Sequence, residues 1–301
     1  MSIWKEILQQ FKHGTTLNRL IFINIVVLAL IDIFALFSWI VTHSATSAFT
    51  VAVMTNIQTY LNPEALIRKP WTLVTYMFVH QGVWHLLFNM LWLFWFGRIF
   101  IDMLKGKRLF AVYVLGGIFG ALFAVVIYAI IPALHGATVG TMPMIGASAA
   151  VLAVVVATAT YFPNYQVFLL FFGRVRLQYL ALAMVVLDAV SIPGLNPGGH
   201  LAHLGGALFG FVWAWQLKQG NDISAWFMRL YDWVAGLFAE KPKMRVSYRN
   251  RETNISDVQF EEIGKVAVSQ AEIDVILDKI SKHGYDSLTK KEKDLLFRQK
   301  M

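Results

Sequence analysis

The chain has no cysteine, and only 15% of its 301 residues are Asp, Glu, Lys or Arg. The first absence excludes disulfides, thiolate metal centres and a cysteine nucleophile. The second excludes the charged surface that keeps a globular protein in water, because 57% of the residues are hydrophobic and the mean hydropathy is +0.57. Proline is scarce too, at 8 residues, which leaves room for long helices. The net charge is +8, but the basic residues fall in short runs between apolar stretches. Such runs suit attachment to an anionic leaflet and give no footprint for nucleic acid.

What is present is apolar sequence in blocks. A helix needs about 20 apolar residues to cross the hydrocarbon core of a bilayer. Six windows approach or reach that length: residues 20–41, 84–101, 109–131, 145–162, 176–192 and 199–217. The last three are short and suit a bundle that thins the bilayer around it. The expected fold is all-α, a polytopic membrane protein with a six-helix bundle and a small cytoplasmic helical tail.

Positive residues in short loops stay on the cytoplasmic side. Lys5, Lys12 and Arg19 precede the first window. Arg98, Lys105, Lys107 and Arg108 cluster around the second turn, and Arg174 and Arg176 follow the fourth window. The intervening loops hold only Arg68 and Lys69. Both termini are therefore predicted to be cytoplasmic, in a cell inner membrane, and windows two, four and six run inward from the outer face. No signal peptide is expected at the N-terminus, since residues 1–13 are mixed in character. Ile3, Trp4, Ile7, Leu8 and Phe11 recur there at helical spacing, which predicts an interfacial arm over residues 1–18.

Three motifs lie at the outer ends of those inward-running windows: His85-Leu-Leu-Phe-Asn89, Gly146-Ala-Ser148 and His200-Leu-Ala-His203-Leu-Gly-Gly206. A serine becomes a nucleophile when a base takes its proton and donors receive the oxyanion. Ser148 sits among Gly146, Ala147, Ala149 and Ala150, which permit close helix approach. His203 precedes Gly206 and Gly210, a small-residue face that can press the sixth window against the fourth. His85 and Asn89, four residues apart, share a helix face and can both donate hydrogen bonds. No carboxylate is evidently placed to orient His203, so a Ser-His dyad is the expectation. Each residue also has a plainer reading: Ser148 as a packing residue, His80 and His200 as interfacial, Asn89 as an interhelical bond. Their joint occurrence at one depth favours chemistry, because buried polar groups are costly in lipid. Asp32 and Asp188 fall inside windows and are expected to be interior hydrogen-bonding residues.

Together with Trp71-Thr-Leu-Val-Thr-Tyr-Met-Phe-Val-His80, these motifs resemble those of the rhomboid family of intramembrane serine proteases, over roughly residues 69–217. The resemblance implies Ser148 as nucleophile, His203 as general base and acid, and His85, Asn89 and the backbone around Gly146 and Ser148 as the oxyanion site. It also implies single-pass transmembrane proteins as substrates, reaching the site from the lipid past the fifth helix, and no cofactor or metal. The chain departs from that pattern at Ala149, where Gly is frequent, and at Leu152, where some members carry an aromatic. Neither change removes a catalytic group. Two other functions fit the residues: a metal site built from His80, His85, His200 and His203, and a non-catalytic membrane scaffold.

Residues 218–254 read as an amphipathic helix followed by a polar linker. Residues 255–301 read as a small helical module with capping boxes at Ser269-x-x-Glu272 and Thr289-x-x-Glu292 and a stop at Gly284. Such a module suits docking to a protein partner or to a second copy, and it resembles a C-terminal appendage of some bacterial rhomboids.

Overall fold

The computed structural model describes residues 14–44, 47–135, 139–238 and 270–298, and the chain forms two units, residues 1–240 and 241–301. Most of the interfacial arm expected over residues 1–18 lies outside the described residues.

In the first unit, helix α1 spans Thr16–Thr42, with the Thr15 side chain accepting from the Asn18 N–H as its cap. Leu17, Leu20, Asn24 and Leu28 recur at helical spacing and are buried, but beyond them only Ser38 is. The second half of α1 is mostly exposed and meets the segment that follows it through Ser38, which bonds Ser47 and Thr50, and through Phe34, whose ring lies 4.7 Å from that of Phe49. Asp32 belongs to that half and is exposed, which corrects the expectation that it is an interior group. The loop that follows is more structured than its sequence suggests. It holds α2 (Ala48–Ile57), strand β1 (Thr59–Tyr60), α3 (Pro63–Arg68) and the single turn α4 (Thr72–Thr75).

Helices α5 (Gly82–Leu104) and α6 (Gly106–Ile130) are separated only by Lys105, whose φ of 72° breaks the run. Strand β2 (Pro143–Met144) pairs antiparallel with β1 and leads into α7 (Ser148–Tyr161). A hairpin of β3 (Gln166–Leu169) and β4 (Gly173–Arg176) then feeds α8 (Leu177–Ser191), which is followed by α9 (Pro197–Lys218) and α10 (Ala225–Phe238).

Helices α1, α5 and α6 are each long and apolar enough to cross a membrane. Helix α7 has 14 residues and rises only about 21 Å, against a hydrocarbon core of about 30 Å. It compensates by being enclosed: every residue from Ala149 to Ala159 is buried, packed on by α5, α6, α8 and α9. Small, uncharged side chains make that enclosure possible. The outward side chains Leu30, Ile33 and Phe37 of α1 and Leu182 and Val190 of α8 are exposed large hydrophobics, as lipid-facing positions require.

At the end of the bundle opposite Ser148, Trp213 of α9 stacks on Phe100 at 5.5 Å between centroids and donates its Nε1–H to the Ser224 hydroxyl at 3.0 Å. Ser224 in turn donates to Asp222 at 2.6 Å, and the Arg108 guanidinium reaches the same carboxylate at 2.9 Å. Partial burial pushes the Asp222 carboxyl up, but hydrogen bonds from Ser224 and Arg108 together outweigh it, so it titrates below the ordinary carboxylate range. A depressed pKa contributes stability that is present above the unfolded value, near 4, and lost as pH falls through the folded one. The thermal midpoint of the parent is expected to fall faster below about pH 4 than that of Asp222→Asn, which has already lost the increment. Parallel melting curves across that range would remove the assignment. Helix α10 lays Phe227 and Tyr231 against Phe110 at 5.9 and 5.2 Å and exposes Trp226, Trp233 and Leu237, the two-faced pattern its sequence predicts.

The second unit contains α11 (Gln270–His283) and α12 (Lys290–Arg298). Gly284 turns the chain with φ +77°, and the Thr289–Glu292 capping box is reciprocal, each backbone N–H meeting the other's side chain at 2.7 and 3.4 Å. Lys279 and Thr289 hold the Glu292 carboxyl down to about 2. Ser269 and the Glu272 side chain lie outside the described residues.

Candidate active site

The close approach of α7 and α9 originates in glycine. A Cβ on Gly206 would lie 2.2 Å from the carbonyl oxygen of Ala149, and one on Gly210 would lie 2.2 Å from that of Ala153. Only a residue without a Cβ lets the two backbones meet so closely. The same contact carries His203, one turn before Gly206, alongside Ser148 at the N-terminus of α7.

There the His203 Nε2 lies 2.5 Å from the Ser148 Oγ. On its other side, His203 Nδ1 lies 2.7 Å from Asp188 Oδ1, and His200 Nδ1 lies 2.8 Å from the same oxygen. A carboxylate only accepts, so both Nδ1 atoms are donors. His203 then holds its proton on Nδ1 and turns the lone pair of Nε2 towards the serine hydroxyl. This corrects the expectation that no carboxylate orients His203. Asp188 is on α8, a different helix from His203, and it comes into reach only when α8 packs beside α9. Its one sequence signal is an ionisable residue inside an apolar window.

Gly146, with φ +114°, turns the chain into α7, and its N–H donates to the Tyr76 carbonyl at 3.0 Å. A Cβ there would lie 2.8 Å from His85 Nε2, so the glycine lets the His85 ring settle against the turn. His85 Nδ1 accepts the Gln81 N–H at 3.3 Å, which leaves the proton on Nε2, the nitrogen beside Gly146. The Asn89 amide donates to the His85 carbonyl at 2.9 Å and keeps a second N–H. The first N–H of α7 with an intrahelical partner is that of Val151, so those of Ser148, Ala149 and Ala150 are free of helical bonds and carry the positive end of the helix dipole.

His80 differs from the interfacial reading. It is buried, and its Nε2 accepts the Ala147 N–H at 3.4 Å, bracing the turn just before the serine. His200 does reach the site, but as a partner of Asp188.

The walls of a cavity of about 410 Å³ include His85, Asn89, Ser148, Asp188, His200 and His203, with Leu152 and the α8 side chains Met184 and Leu187 as its apolar lining. Among the described residues one cluster, Asp188, His200 and His203, brings three potential metal-ligand atoms within 4.8 Å of one another. In this arrangement both imidazole Nδ1 atoms are already turned to the carboxylate by hydrogen bonds. His80 and His85, the other half of the metal reading, stack edge to face at 5.2 Å and are not in that cluster.

Residues 68–220 match the Rhomboid domain family, and residues 265–298 match a "Family of unknown function (DUF6576)". Among curated proteins, Rhomboid protein 1, mitochondrial, of Saccharomyces cerevisiae is 32% identical over 171 residues, 54% of this chain and 48% of that protein. Presenilin-associated rhomboid-like protein A, mitochondrial, of Danio rerio is 30% identical over 154 residues, 48% of this chain and 36% of that protein. RHOMBOID-like protein 12, mitochondrial, of Arabidopsis thaliana is 30% identical over 159 residues, 50% of this chain and 47% of that protein. The chain thus spans less than half the length of each of these relatives.

Proposed function

The chain belongs to the rhomboid family, and from that premise we propose that it is an intramembrane serine endopeptidase whose substrates are single-pass transmembrane proteins. The observation that carries this reading is the line Ser148 Oγ, His203 Nε2, His203 Nδ1, Asp188 Oδ1, with contacts of 2.5 and 2.7 Å, in the wall of a cavity.

In the proposed reaction His203 takes the Ser148 proton as Oγ attacks the scissile carbonyl. The oxyanion is received by the Ser148 N–H, the His85 Nε2–H and the free N–H of Asn89, assisted by the α7 dipole. His203 then hands its proton to the leaving amine, and water attacks the acyl-serine by the same route in reverse. Asp188 stays ionised and holds His203 in the tautomer with a bare Nε2. Met184 and Leu187 on α8 favour access of an unwound apolar segment from the lipid side. The charge distribution supports a multi-pass orientation in a cell inner membrane, with both termini on the cytoplasmic side and the cavity opening outward. The curated relatives' names place those proteins in mitochondria.

An alkyl fluorophosphonate tests the nucleophile directly. It is expected to modify the detergent-purified protein once per chain, with the adduct mapping to Ser148, and to leave Ser148→Ala unmodified. Modification elsewhere, in protein that cleaves a reporter substrate, would overturn the reading. The Asp188–His200–His203 cluster supplies the competing metal reading with a sharp contrast. Cleavage is expected to be unchanged after dialysis against EDTA; loss on dialysis, with recovery on adding Zn2+, would put the metal reading in its place.

A further inference from the structure

The β3–β4 hairpin carries four large apolar side chains for which neither the fold nor the proposed chemistry has a use. Phe168, Leu170, Phe171 and Phe172 are 74%, 80%, 86% and 78% exposed. Strand alternation sorts the rest: Val167 and Leu169 are half-buried, with Val167 packed against the bundle core, whereas Gln166, Phe168, Arg174 and Arg176 share the outward face. Phe168 pairs directly with Arg174, and Gln166 with Arg176. Among the described residues no strand pairs with the tip, Leu170-Phe171-Phe172, and Gly173 closes it with φ +68°.

A tip this apolar standing in water would be an aggregation hazard, and its flanking arginines limit the choice of cover. Another strand edge or an apolar protein groove gains nothing from two guanidinium groups beside the phenylalanine. A bilayer surface matches both features, since acyl chains take the rings while headgroup phosphates take the guanidinium forks. Position agrees. The hairpin follows the C-terminal end of α7, where Lys218 at the end of α9 lies over the Tyr161 ring at 5.9 Å, so a third cation is at this level of the bundle. Strand β4 also continues without a break into α8, whose outward side chains Tyr179, Leu182 and Val186 are exposed apolar groups. The apolar surface of α8 and that of the tip are therefore neighbours in the chain.

We propose that the β3–β4 hairpin is a membrane-surface anchor: Leu170, Phe171 and Phe172 insert into the acyl–headgroup boundary of the leaflet at this end of the bundle, while Arg174 and Arg176 hold the phosphate groups of anionic lipids. The anchor ties the start of α8 to the leaflet, and it stands independently of whether Ser148 is a nucleophile.

The absence of cysteine makes the test clean, because a single introduced thiol carries the only label. Phe171→Cys and, in the polar turn before β3, Asn164→Cys are nitroxide-labelled. The protein is reconstituted at low density in phosphatidylcholine vesicles with and without phosphatidylglycerol. Collision rates with oxygen, which concentrates in lipid, are compared with those for a water-soluble nickel chelate. The oxygen-to-nickel ratio is expected to be several-fold higher at position 171 than at position 164. Adding Arg174→Ser and Arg176→Ser is expected to lower it, more in the anionic vesicles than in the neutral ones. Equal ratios at the two positions would overturn the anchor, leaving the tip in water. Protection at position 171 accompanied by spin–spin broadening that disappears on dilution with unlabelled protein would also overturn it, by giving the tip to a second copy. Both labelled sites are exposed, and unchanged thermal midpoints exclude misfolding as a cause of either result.

Discussion

Asp188→Asn is expected to lower kcat for a reporter with one transmembrane segment by about two to four orders of magnitude, by analogy with the loss seen when a triad carboxylate becomes an amide. Ser148→Ala and His203→Ala are expected to fall to background in the same assay. The reasoning for Asp188 is tautomeric. Its Oδ1 accepts from His203 Nδ1 at 2.7 Å and from His200 Nδ1 at 2.8 Å. An asparagine in that place can turn its NH2 towards His203, which then carries its proton on Nε2 and has no lone pair for Ser148. A purely structural role for Asp188 would reduce the amount of folded enzyme and leave the turnover of what remains intact. The distinguishing readouts are therefore kcat on active-site-titrated protein, the rate of phosphonate labelling, and the thermal midpoint. The expected pattern is a large fall in the first two with KM little changed and the midpoint within a few degrees of the parent, and partial rescue by Asp188→Glu. Full turnover per folded molecule in Asp188→Asn would leave Ser148 and His203 as an unassisted pair.

The sequence marks Asp188 as an interior hydrogen-bonding residue but not as the partner of His203, and the reason is physical. The positions of the bundle helices were legible because a bilayer imposes a length and a polarity that few other environments require, and α1, α5, α6 and α9 begin and end within a few residues of the expected windows. The placement of Ser148, His85 and His203 at one level was legible for the same reason, since charges in the loops set the direction of each helix. Which helix faces which was legible only where glycine spacing gave it away, at Gly206 and Gly210. Helix α8 has no such spacing, so nothing in its sequence says that Asp188 looks at His203 and not at lipid. Asp32 shows the converse, a carboxylate in an equally apolar window that the structure leaves exposed. The loop elements α2, α3 and the β3–β4 hairpin escaped because their apolar residues are too few to stand out beside spans of twenty. In the hairpin the apolar run from Val167 to Phe172 is only six residues long, too short to register in a search for membrane helices.

The second large effect is expected at a position that carries no side chain at all. Gly206→Ala adds one carbon that would lie 2.2 Å from the Ala149 carbonyl oxygen and 2.9 Å from its carbonyl carbon. Both are backbone atoms in the most enclosed helix of the bundle, so neither can rotate away, and ordinary contact requires α7 and α9 to separate by about 1 Å. Ser148 is one residue before Ala149 on α7, and His203 is three before Gly206 on α9, so the separation is delivered directly to the hydrogen bond between them. A displacement of that size at reacting groups costs about 100-fold in rate, and overpacking of this kind costs about 1–3 kcal/mol in stability. Gly206→Ala is accordingly expected to lose about two orders of magnitude in cleavage while its thermal midpoint falls only modestly. Gly210→Ala, one turn further from Ser148, should lose less activity for a similar loss of stability. Gly236→Ala on α10 is the control, because a Cβ there meets nothing within 4 Å and alanine is the better helix former. Parent-level cleavage in Gly206→Ala would mean that the α7–α9 contact does not set the distance between Ser148 and His203. The burden of positioning would then fall on α8 and on Asp188 alone.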